Sequence, residues 1–85
     1  MALITHTTNT TSGATTATGS IQVIVDIVGN AKCQLQIDAD SIGYQTIWET
    51  TRSDAKVVTL SAGTNYKFNT LHSGTSTVKI SHNAV

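Results

Sequence analysis

Asp38, Asp40 and Gly43, with Glu49 eleven residues after Asp38, fall on positions 1, 3, 6 and 12 of a calcium-binding loop. Such a loop wraps a hard cation in alternating oxygen ligands and bends sharply at its glycine. Ile42 stands at position 5, where an oxygen is needed, and the flanking residues have the period of strands rather than helices. The pattern therefore reads better as a β-turn bent by Asp and Gly, with Glu49 on a solvated strand face. His6, His72 and His82 are zinc-ligand types. Placing His72 in a turn and His82 at the far end of the following strand separates them by roughly 20–30 Å at about 3.3 Å per residue. Within one chain they read as solvated or capping residues; copies of one histidine around a three-fold axis are the other way they could meet a metal.

Cys33 is the only cysteine, which excludes an intrachain disulfide. It lies on the apolar side of an alternating run and reads as a small buried hydrophobe, not a nucleophile. Serine and threonine are plentiful, but none sits in a Gly-x-Ser-x-Gly elbow or beside a placed His and Asp. Paired carboxylates for glycoside chemistry would need a cleft that a chain of 85 residues has little room to build. Tyr44 and Trp48 could stack on a sugar, but with only four aromatics in the chain, core packing is their better use. The residues predict a non-enzyme without cofactors or metal.

The elements that hold these residues are strands. Ala31, Cys33, Leu35 and Ile37 alternate with Lys32, Gln34, Gln36 and Asp38, the pattern of a strand with one face buried and one wet. Ahead of them Ile21, Val23, Val25 and Ile27 face one way, with Ile24 and Val28 on the other, so this strand is expected to be covered on both sides. Gly29-Asn30 is read as a tight hairpin between strands 20–28 and 31–38. Further strands follow over about 44–51, with Tyr44, Thr46 and Trp48 on one face, and over 56–60, 65–71 and 76–81, separated by turns at 39–43, 52–54, 61–64 and 72–75. The fold class is all-β: a small antiparallel β-sandwich or jelly roll of about six to seven short strands over residues 20–85. Residues 1–19 are threonine-rich and read as an extended or disordered arm that adds a strand to a neighbour, anchored by Ala2, Leu3 and Ile4. Its removal is expected to leave the sandwich folded.

Net charge is zero and only 12% of residues are charged, which argues against nucleic-acid and anionic-membrane partners. No run approaches the roughly 20 apolar residues of a membrane helix, and Met1–His6 lacks the basic and long apolar regions of a signal peptide, predicting synthesis in the cytoplasm without export. So short a core needs help from disulfides, metal or oligomerisation, and oligomerisation is the expectation left.

The Cys33–Asp40 strand and turn, Trp48 on the return strand, and the Val57–Phe68 block with its Leu-x-Ala-Gly-Thr-x-Tyr-x-Phe hairpin together resemble the small β-sandwich proteins on the virions of tailed bacteriophages. The chain departs from the common Asp-Gly turn, because Ser41 and Ile42 separate Asp40 from Gly43. The resemblance implies a capsid decoration (cement) protein on the virion surface, a homotrimer that binds between major capsid subunits. Leu3, Ile4 and Thr5 would make capsid or intersubunit contacts, with Tyr44 and Trp48 as further anchors. The alternatives are a tail or fibre module that recognises a host receptor or glycan through its loops, and a head–tail connector component.

Overall fold

The computed structural model describes residues 2–38 and 42–85. The chain is all-β, and the described residues form one antiparallel sheet of seven strands. These are β1 (Ala2–His6), β2 (Thr10–Thr11), β3 (Thr15–Thr16), β4 (Ile21–Asp38), β5 (Gln45–Thr50), β6 (Asp54–Val58) and β7 (Asn65–Ala84). Two of them are not short. β4 has 18 residues and β7 has 20, and they pair with each other along almost their whole length.

The expected hairpin at Gly29-Asn30 and the expected turn at 72–75 are instead two sides of one crease in this long ribbon. Register runs from Ile21↔Ala84 to Val28↔Thr77 and resumes at Asn30↔Ser73, so β7 crosses the crease with two more residues than β4. Gly29 (φ 89°) and Gly74 (φ 70°) supply left-handed backbone there. A Cβ on Gly29 would lie 2.7 Å from the Thr75 carbonyl oxygen and 2.9 Å from the Ser76 Cβ, so the crease closes only over glycine. Odd residues of β4 and even residues of β7 face inward on both sides of the bend. One face of one ribbon is thereby folded onto itself, and the result is sandwich-like.

The first half-sheet has the order β1–β7–β4–β6, and the second has β2 and β3 beside β7, then β4 and β5. Between them lie Ile21, Val23, Val25, Cys33, Leu35, Phe68, Val78 and Ile80, all essentially buried. Each large side chain here contributes roughly 1.5–3 kcal/mol by leaving water. Polar pairs join the two layers on either side of this apolar centre. Near the crease, His6 Nδ1 lies 2.9 Å from Thr70 Oγ1, and His72 bonds Ser76 Oγ (2.7 Å) and Thr70 Oγ1 (3.1 Å). At the open end, the Tyr66 hydroxyl meets His82 Nδ1 at 2.7 Å. Edge-to-face packing of Tyr66 on both Phe68 and His82 locks that end.

The N-terminal residues, expected to add a strand to a neighbour, pair here with their own chain. Over 2–6, 10–11 and 15–16 they lie along β7 of their own chain. Ala17 is buried, His6 is buried, and Ile4 packs against the core. The physical reason is that β7 has an outer edge of unpaired backbone groups along both half-sheets, and the β-branched stretch that leads into its partner β4 satisfies it.

Candidate functional site

The outward side of the first half-sheet departs from the pattern expected of a solvated surface. Cross-strand register sets Leu3, Ser81, Ile24 and Ala55 in one row across β1, β7, β4 and β6. The next row on one side holds Asn83, Gln22 and Val57, and on the other Thr5, Lys79 and Asp26. Beyond these, Val28 pairs with Thr77. Leu3 is 67% exposed, Val28 64%, Val57 57% and Ile24 45%, so four branched apolar side chains share one face, while Ile42, Ile47, Leu71 and Val85 are exposed apart from it. Ser81 sits low between Leu3 and Ile24, and its Oγ is buried without a hydrogen-bond partner among the described residues. Asp26 accepts a hydrogen bond from Ser53 Oγ (2.9 Å), and Ser53 accepts one from the Ile27 N–H (3.0 Å), which ties the polar 51–53 loop to this face.

The outward side of the second half-sheet is different in kind. Thr11, Asn69, Gln34 and Glu49 are hydrogen-bonded in sequence across four strands, and Lys32 lies 3.7 Å from Glu49. Gln36 bonds Thr46, and the Lys67 ammonium sits 3.9 Å above the Tyr44 ring. These polar groups satisfy one another.

No family model, curated protein or solved structure matches this chain. Its reading therefore rests on the residues and their geometry.

The five contact residues expected from sequence separate into three places. Leu3 and Thr5 come together on the apolar outward face, and Ile4 turns inward onto the core. Tyr44 lies on the other half-sheet under Lys67. Trp48 pairs with Leu35 and packs against the core. The expected common face for Tyr44, Thr46 and Trp48 is broken by a bulge. Leu35 opposes Trp48 while Gln36 opposes Thr46, so Ile47 is the extra residue and alternation restarts beyond it. Ile24 and Val28 were legible as apolar on the second side of their strand. Ala55, Val57, Asp26 and Lys79 were not, because nothing in their local sequence says which strand they neighbour.

The other chemically suggestive residues are committed elsewhere. Asp38 accepts the Gly43 N–H (3.2 Å), and Glu49 faces Lys32; Asp40, in the turn expected over 39–43, lies outside the described residues. Among the described residues, no three of His, Cys, Asp and Glu gather as metal ligands. Burial lowers the pKa of His6, helped by His72, and lowers that of His82, so both rings favour the neutral form. Burial pushes the Cys33 thiol up to about 12, which removes it as a nucleophile near neutrality.

Proposed function

We propose that this chain is a non-enzymatic structural protein of a phage virion, a decoration protein that binds as a homo-oligomer between major capsid subunits and stabilises the head. The supporting observation is the apolar outward face that carries Leu3, Ile24 and Val57 on a protein of zero net charge. Such a face withdraws from water by docking on protein. The decoration role itself comes from the resemblance of the Cys33–Asp40 and Val57–Phe68 segments to virion β-sandwich proteins. Binding strengthens a shell insofar as it favours the assembled state over free subunits, and many copies with modest interfaces suffice.

The test is cosedimentation with expanded, empty shells of the phage that encodes the protein. Saturation at a fixed ratio to the major capsid protein, with a raised shell melting temperature, supports the reading. Protein left in the supernatant overturns it, and saturation at only a handful of copies per particle moves it to the tail or connector. A second reading, glycan recognition by a tail or fibre module, draws on a hollow of about 630 Å³ at the open end of the sandwich. Thr15, Thr16, Thr18 and Asn83 line it beside the Tyr66–His82 pair. Titration with host-surface oligosaccharides checks it, and heat released on binding would favour it over decoration.

A further inference from the structure

We propose that the outward face of the first half-sheet is a self-complementary contact, through which two copies of this chain pair about a two-fold axis that runs parallel to the strands between β4 and β7. This rests on the reading above that the face docks on protein, and it names the partner.

The central row supplies the shape. Across the four strands its side chains run large, small, large, small: Leu3, Ser81, Ile24, Ala55. A two-fold axis along the strands reverses that order in the second copy. Leu3 then meets Ala55 of the other copy, and Ile24 seats over Ser81, where the side chain is short and its hydroxyl is already withdrawn from solvent. Every projection meets a depression, as close packing of two sheet faces about 10 Å apart requires. An axis running across the strands would instead set Leu3 on Leu3 and Ile24 on Ile24, projection against projection.

The next row supplies the charge. Lys79 and Asp26 oppose each other on β7 and β4, both exposed. The same axis that seats Ile24 over Ser81 carries Lys79 of one copy onto Asp26 of the other, twice by symmetry. With the axis across the strands, both charges would face the neutral Asn83 and Gln22 row. Shape and charge, on separate rows, select the same operator. The contact has the width of four strands, about 19 Å, and the length of roughly five residues, about 17 Å. That footprint falls below the size of stable specific interfaces, so pairing is a weak, concentration-dependent equilibrium, not a permanent dimer. The resemblance noted from the sequence implies a trimer; this face fits two-fold symmetry.

The experiment is sedimentation velocity on the purified full chain, without shells, over a concentration series. Wild type is compared with Asp26→Lys, Lys79→Asp, the double exchange and Ser81→Leu, each first shown by circular dichroism and cooperative unfolding to be folded. A reversible two-chain species is expected for wild type. Each single charge reversal sets like charges together twice and weakens it by at least about tenfold, and the double exchange restores it to within about threefold. Ser81→Leu fills the depression and abolishes pairing. A monomer at every concentration, a three-chain mass, single variants that pair as tightly as wild type, or a double exchange no better than the singles would each overturn the proposal. The readout is independent of shells. Loss of pairing with shell binding intact removes this inference alone, whereas pairing without shell binding removes only the decoration role.

Discussion

Cys33 shows how position sets chemistry. The side chain is fully buried between Ala31 and Leu35 on the inward face of β4, and its thiol is pushed up to about 12. A disulfide-exchange reagent should therefore label it only as fast as the protein opens; modification of the native state on mixing would contradict its place in the core. His6 and His82 give the fold a pH dependence of definite sign. Both are held below the ordinary value of 6.5, so the unfolded chain takes up protons first as pH falls. Their contribution is fully present above about pH 6.5 and is lost as pH falls through that value toward the folded-state pKa of each ring. Denaturant midpoints that fall steadily on acidification from pH 7.5 to 5 are expected, and a replacement of His82 by Phe should flatten part of that slope. The inward places of Cys33 and Leu35 were legible because strict alternation names a face. The hydrogen bond between Tyr66 and His82 was not, because the two residues are 16 apart and meet only once the ribbon has folded over.

At the scale of elements, the crease decides the architecture. Gly29 and Gly74 both fell in expected turns, and both have positive φ, but glycine serves equally in a hairpin, a bulge or a bend within a strand. Only the pairing of β4 with β7 on both sides of the crease distinguishes these, and such pairing is non-local. Gly29→Ala should cost on the order of 2–4 kcal/mol, from strain at positive φ and the approach to the Thr75 carbonyl, and chemical denaturation measures it. Gly13, with open space around it, provides the control, and alanine there should change stability by less than about 0.5 kcal/mol. The N-terminal strands carry the opposite lesson. Threonine-rich and low in charge, residues 2–16 look detachable, yet they close the edge of β7 and place Ile4 and His6 on the core. Deleting residues 1–19 should abolish cooperative unfolding or lower the melting temperature steeply; an unchanged transition would show that these strands are a separable arm.

For the whole molecule, contacts are overwhelmingly non-local, since β1 reaches β7 across nearly the full chain. Folding on a millisecond-to-second scale is expected. With no proline, refolding should lack the phase of tens of seconds that prolyl isomerases accelerate, as stopped-flow with and without isomerase will show. The molecule, 36 × 25 × 17 Å, has two outward faces of contrasting character. The face of the second half-sheet closes its polar groups on one another, while that of the first leaves apolar side chains to be covered. Sequence displayed the polar face plainly, because Lys32, Gln34, Gln36 and Asp38 sit on one alternating strand. The apolar face is a mosaic of four strands and becomes visible only through their register.

The pairing of Ala2 with His82 also fixes how the protein responds to force. Because β1 and β7 are antiparallel, the two chain ends lie at the same end of that pair, and tension between them loads the ladder bonds in succession rather than all at once. Pulled by its termini, the sandwich should unzip at low force from β1 inward. Pulled through its outward face, where load spreads over four strands, it should hold to much higher force. In a strained assembly, a molecule of this construction resists rupture only when gripped by its broad side.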